Sequence, residues 1–156
     1  MRTYMHINLN DRTIEKEEME GEQLARAGRY HIVKTMLDRN LAEVDPLGPD
    51  NPLIFSAGPF AGSNFSNANR ISVGCKSPLT GGIKESNAGG TFGFALGQLE
   101  LSGFTLYGQS NDWVVMYIPK EGEIEYMSAE PYMGKGAFET AKMLHEKFGS
   151  KVSLCI

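Results

Sequence analysis

SPLTGGIKESNAGGTFGFALGQL, residues 77–99, decides how this chain is read. Its glycines stand among Ser77, Thr80, Ser86, Asn87 and Thr91, short polar side chains that favour turns and helix starts. SPLTGG reads as a turn. From NAGG onward Phe92, Ala95, Leu96 and Leu99 take helical spacing, so a helix is expected through TFGFALGQLEL, with Asn87 at its start as an N-cap residue. Gly93 and Gly97 lie four apart on that helix. Each costs about 1 kcal/mol against Ala, so something is expected to approach closely. A helix start favours an anionic oxygen through its free N–H groups and dipole. Gly89 and Gly90 would let a ligand touch backbone. Taken singly, most of these residues are turn formers; their density beside strands is what points to a ligand.

Working outward, Arg70–Lys76 reads as a strand entering this stretch, and Ile83 begins a short one within it. Leu53–Ala57 is an apolar strand ended by Gly58-Pro59, after a loop, DPLGPDNP (45–52), whose three prolines forbid regular structure. Residues 3–9 alternate and, with Thr13–Glu18, predict a hairpin. Gln23–Leu41 predicts one helix with Tyr30, Val33, Met36 and Leu37 inward. Phe104–Tyr107, Trp113–Ile118 and Ile124–Met127 read as strands, the last two joined at EGE (121–123). Phe138–Phe148 predicts a helix with Phe138, Ala141, Leu144 and Phe148 inward and Gly149 ending it. Val152–Ile156 reads as a final strand. The expected fold class is α+β: mixed short-stranded sheets, hairpins and about three helices.

The 156 residues suffice for one domain with a core, and a net charge of −4 without a basic run argues against nucleic acid as partner. EKEEMEGE (15–22) reads as a solvated acidic face. No apolar run approaches the roughly 20 residues of a membrane span, and the N-terminus lacks the apolar core of a signal peptide. Cys75 and Cys155 form no CxxC, and two unpaired thiols fit a reducing cytoplasm; a bond between them stays open. GxxxxGK[ST] and GxGxxG are both absent, so neither a P-loop nor a Rossmann site is expected. His6, His31 and His145 are scattered and read as packing or surface residues. Arg70, at a strand start, offers a planar fork for phosphate. Lys76 reads as a solvated strand-end charge, Trp113 as a strand anchor, Cys75 as a small core residue, and Glu85 as no general base.

Three runs carry a resemblance: DPLGPDNPLIFSAGP (45–59), NRISVGCKSPLTG (69–81) and NAGGTFGFAL (87–96). In order and spacing they resemble the N-terminal domain of the tungsten-containing aldehyde ferredoxin oxidoreductases, and the resemblance covers essentially residues 1–156. It implies a base on which a pterin cofactor lies, tungstopterin or molybdopterin. Arg70, Asn87 and Gly89 match the positions expected to contact one pterin. The Asn87 backbone carbonyl matches one that binds a magnesium ion linking two pterin phosphates. The resemblance also implies oxidation of aldehydes to carboxylic acids with ferredoxin as electron acceptor. The family's second pterin-binding segment and the cysteines of its [4Fe–4S] cluster would follow Ile156. The expectation is therefore an incomplete domain, inactive alone and completed by the rest of an enzyme or by a complementary subunit. Glu100-Leu101-Ser102-Gly103 and Ala27-Gly28-Arg29-Tyr30 depart from the family's Gly-Tyr-Asp-Ala and Gly-Gly-Arg-Gly, which leaves the substrate open. Two other readings stay open: a non-catalytic pterin-binding module, and an unrelated nucleotide or anion binder.

Overall fold

A computed structural model describes residues 1–156, which divide into two compact units, Met1–Gln109 and Ser110–Ile156. The first is built on a six-stranded mixed sheet of order β2-β1-β6-β3-β4-β5. β1 (Arg2–Asn8) and β2 (Ile14–Met19) form the expected antiparallel hairpin. β3 (Leu53–Ala57) runs antiparallel to both β4 (Ile71–Lys76) and β6 (Leu101–Tyr107). β5 (Ile83–Ala88) is the far edge, antiparallel to β4, and β1 beside β6 is the one parallel pair.

Register assigns each residue to a face, because paired residues project to the same side. One face carries Tyr4, Gly103, Ser56, Ser72 and Asn87 across five strands, with Ile54, Gly74 and Glu85 on the next level. The helix α2 (Arg29–Asp38) covers it, with Ile32 seated over Gly74. A Cβ at Gly74 would stand 2.5 Å from Ile32 Cγ2 and 2.9 Å from the Lys84 carbonyl oxygen, so this seat requires glycine. The opposite face carries Phe55 and Phe104, whose rings stack at 4.5 Å, and Phe92 of α3 (Thr91–Gln98) packs 6.5 Å from Phe55. The core of the unit is Tyr4, Ile7, Ile32, Ile54, Phe104 and Leu96, all essentially closed to solvent.

Gly93 and Gly97 are approached closely, as their spacing predicts, and what approaches is the chain's own backbone. A Cβ at Gly93 would lie 2.6 Å from the Asn69 carbonyl oxygen, and one at Gly97 would overlap Ala61 and Gly62. The loop 58–70 therefore lies directly on α3.

Several expectations are corrected. The single helix over Gln23–Leu41 is α1 (Gly21–Ala25), α2 and a 3₁₀ turn at Leu41–Glu43. Gly28 breaks it with φ +73, a conformation other residues rarely adopt. The fit over Gly74 sets the phase of α2, so Ile32 and Met36 are buried while Tyr30 and Leu37 are exposed. α3 ends at Gln98, and Leu101 already belongs to β6, because Glu100 turns the chain at φ +58. Tyr4, on the polar side of the β1 alternation, is buried because α2 covers that face too.

The second unit pairs β7 (Val114–Tyr117) with β8 (Glu125–Ser128), antiparallel as expected, and adds α4 (Ala137–Phe148), which ends at Gly149 with φ +90. Tyr117 stacks on Phe148 at 5.0 Å. Thr140 and Leu144 are the buried residues of α4, whereas Phe138, expected inward, is 95% exposed. Trp113 is also exposed and precedes β7, so it anchors no strand. Residues 152–156 form no strand, since no neighbouring strand offers them a ladder. The fold class is α+β, as the sequence predicts, with four α-helices because the first predicted helix is split.

The close approach at α3 reverses an ordinary expectation. Helix propensity alone makes Gly97→Ala stabilising by about 1 kcal/mol. Overlap with Ala61 and Gly62 should make it destabilising by about 1–3 kcal/mol instead. Urea unfolding of the variant reads the sign.

Candidate functional site

β4 and β5 bring the predicted residues together. Arg70 immediately precedes β4, and Asn87 lies opposite Ser72 in the β4–β5 ladder. Arg70 donates twice to Asn87, from Nε to the side-chain Oδ1 and from Nη2 to the backbone oxygen at 3.2 Å. Asn87 Nδ2 in turn donates to Ser72 Oγ at 3.0 Å. Ser72 Oγ donates to Glu85 Oε1 at 2.7 Å, and Glu85 Oε2 accepts from Arg29 Nη2 at 3.3 Å. Five side chains thus form one chain of hydrogen bonds, from the loop before β4 to the first residue of α2. On the same level Ser56 Oγ accepts from the Gly28 N–H at 2.8 Å, so α2 begins directly over this row.

Asn87 is not the N-cap of α3. It lies within β5, and α3 starts four residues later behind Gly90, with no side-chain cap. The short strand expected from Ile83 runs on through Asn87 to Ala88, because these residues pair with β4. Gly89 and Gly90 remain open: a Cβ at Gly89 would meet only Arg70 Nη1, at 3.6 Å, and one at Gly90 nothing within 4 Å. Arg70 Nη1 therefore faces the bare backbone of Gly89. The Asn87 carbonyl, matched by the resemblance to a magnesium ligand, accepts one bond from Arg70 and has a second lone pair.

Lys76 is not a solvated charge. Its Nζ donates to the backbone oxygens of Ala42 and Val44 at 2.6 and 2.7 Å, and ties the 3₁₀ turn to the sheet. Glu85 is a poor base, as read from the sequence: the Ser72 hydroxyl and the Arg29 guanidinium hold its carboxyl below the usual range. Cys75 is half-buried rather than core, and burial pushes its thiol up; Cys155 is exposed, and neither thiol is bonded.

The histidines are less scattered than their positions suggest. His6 and His31 both pack on the Tyr4 ring, at 5.3 and 4.6 Å, and His6 bonds Glu17 and Tyr107 at 3.2 Å each. Burial lowers the His31 pKa, and its Nε2 has no hydrogen-bond partner. They line a cleft of about 370 Å³ on the flank of α2, with Arg39 and Lys34 among its other walls. Arg70 and Asn87 are no part of that cleft. The strand alternation that puts Tyr4 and His6 on one face was the available signal for it.

Fold and site define first a class: an α+β domain carrying an arginine-ended hydrogen-bond chain across the outer strands of a mixed sheet, beside open glycine backbone. The family model "Aldehyde ferredoxin oxidoreductase, N-terminal domain" matches residues 4–156, and the chain belongs to that family. It is 36% identical over 154 residues to the tungsten-containing aldehyde ferredoxin oxidoreductase of Pyrococcus horikoshii, covering 94% of this chain and 24% of that protein. The enzyme of the same name from Pyrococcus furiosus is 34% identical over 95% of this chain and 25% of its own length. A solved chain described as "Active site complex BamBC of Benzoyl Coenzyme A reductase in complex with 1,5 Dienoyl-CoA" superposes with a TM-score of 0.88 at 28% identity, over 97% of this chain and 24% of that one. The chain thus spans about a quarter of the length of these relatives. No helix is long and apolar enough to cross a membrane.

Glu85 sets a pH dependence. Its folded pKa is depressed, so its contribution to stability is complete above the ordinary glutamate value of about 4.3 and is lost as pH falls through the lower folded value. Glu85→Gln should therefore flatten the acid side of the stability curve below about pH 4.3. Urea titrations at stepped pH measure the slope.

Proposed function

We propose that this chain is the cofactor-binding N-terminal portion of a tungsten or molybdenum pterin oxidoreductase that oxidises aldehydes to carboxylic acids and passes the electrons to ferredoxin. The observation that carries the reading is the Arg70–Asn87 pair beside the open backbone of Gly89 and Gly90. A pterin presents a hydrogen-bonding ring edge and a phosphate, and this corner presents both kinds of partner. Arg70 keeps Nη1 toward the open side after its other nitrogens bond Asn87, so a phosphate oxygen meets a guanidinium already held in place. Gly89 lets a flat ring come to van der Waals distance of the main chain. The second lone pair of the Asn87 carbonyl suits a hard cation such as magnesium between phosphates.

Bound there, the pterin would hold the metal that carries the two-electron oxidation. The chain's own residues bind and orient. The [4Fe–4S] cluster, the second pterin and the ferredoxin contact belong in this reading to the rest of the enzyme or to a complementary subunit. Both free thiols stand apart from any group of three or more metal-ligating side chains.

The test is metal and pterin content of the protein isolated from its host with whatever accompanies it. Tungsten or molybdenum, iron, and fluorescent oxidised pterin are expected together. Arg70→Ala should lose most of the pterin while its circular dichroism stays unchanged, because the Arg70 head group is exposed and bonds only Asn87. Gly89→Val should lose it as well without unfolding, since a Cβ there meets only Arg70 Nη1. Pterin retained by both variants would refute the reading.

A further inference from the structure

Asn and its amide can face either way, and the side that meets Arg70 decides whether Arg70 is held or repelled. The chain of bonds behind Asn87 settles the direction. An ionised carboxylate only accepts, so the single hydroxyl proton of Ser72 goes to Glu85 Oε1. Ser72 Oγ is left with lone pairs toward Asn87 and must receive the Nδ2 amide. The Asn87 oxygen then faces Arg70 Nε. The order cannot run the other way while Glu85 is ionised. Arg29, from the first residue of α2, takes the other carboxylate oxygen and so favours the ionised form. Ser72 is 4% exposed, so water competes little for its hydroxyl.

We infer that Glu85 is a positioning residue that acts through Ser72 to fix the Asn87 amide, and through it the Arg70 guanidinium, in the orientation that leaves Arg70 Nη1 facing Gly89. The purpose of the relay rests on the cofactor reading above; the relay itself does not need a ligand to be present. α2 takes part because Arg29, its first residue, bonds Glu85 from the same helix that seats Ile32 over Gly74. Neither Glu85 nor Ser72 touches the open backbone of Gly89 and Gly90, so their effect on a ligand is indirect.

Two measurements on the full chain separate the relay from its purpose. The first is hydrogen exchange of the Arg70 Nε–H by NMR without ligand. Glu85→Leu and Ser72→Ala break adjacent links and should each raise the exchange rate about tenfold, the equivalent of one hydrogen bond. Glu85→Gln, whose amide must give its one oxygen to Arg29 and can then donate to Ser72, should raise exchange as Glu85→Leu does, whereas Glu85→Asp, which keeps a carboxylate that only accepts, should restore slow exchange. A merely structural role for Glu85 predicts no such rescue pattern at Arg70. The second is pterin content after isolation from the host: Glu85→Leu and Glu85→Gln should fall with Arg70→Ala, and Glu85→Asp should stay nearer the parent. Circular dichroism of each variant reports folding, and because Ser72 is buried and Glu85 only partly so, the Glu85 variants decide if Ser72→Ala unfolds. Unchanged Arg70 exchange in folded Glu85→Leu, with pterin lost in Arg70→Ala, would overturn the relay alone. Pterin retained by Arg70→Ala would overturn the cofactor reading instead.

Discussion

Ile32 occupies the space that Gly74 leaves empty, and much of the first unit follows from that fit. A helix lying on a sheet has two freedoms, sliding and rotation, and a branched side chain pressed against bare backbone removes both. With α2 so fixed, its N-terminus stands over Ser56 and Ser72, and Arg29 lies within reach of Glu85. The loop 58–70 is fixed on the other face by an equally tight contact, backbone on the glycines of α3. Arg70 leaves that loop and enters β4. Its position is therefore set from both sides of the sheet, by two packing contacts that no larger residue would permit.

The face under α2 is unusual in what it buries. Ser56, Ser72 and Thr105 are closed to water on a surface where an ordinary sheet would carry aliphatic residues. Burying a hydroxyl is tolerable only when it is bonded, and each of these is: Ser56 to Gly28, Ser72 to Asn87 and Glu85, Thr105 to the Tyr4 hydroxyl at 2.7 Å. Such bonds have direction where apolar packing has none. The same sheet therefore combines a nonspecific core around Phe55 and Phe104 with an oriented polar layer opposite.

The sequence disclosed what is local. Leu53–Ala57 stood out because an apolar run ends at Gly-Pro, and α4 because its period and its terminal glycine agree. Membership of the family was legible through motif order, and the same runs singled out Arg70, Asn87 and Gly89, which the strands bring to one corner. The place of Asn87 in β5 was not, since NAGG before an apolar run also spells a helix start, and only pairing with β4 decides between them. The bonding of Ser72, Glu85 and Arg29 to one another escaped notice for the same reason: nothing in their sequence spacing encodes register across strands or the seat of a helix. The spacing of Gly93 and Gly97 announced a close neighbour without saying that it was the chain itself. Exposure of Tyr30 and Phe138 shows the limit of periodicity, which finds a stripe but not how wide a stripe the neighbours cover.

β6 is the last strand of its sheet to be reached along the chain, yet it lies inside, between β1 and β3. Its parallel partner β1 opens the sequence, with His6 opposite Thr105. The hairpin β1–β2 and the meander β3–β4–β5 can pair as soon as they are made, since their partners are sequence neighbours. Their union must wait for residues 101–107, which insert along two edges at once and close the longest loop in the unit. Folding of this domain is thus gated by its centre, and until β6 arrives the two halves of the sheet stand as separate pieces with unpaired edges.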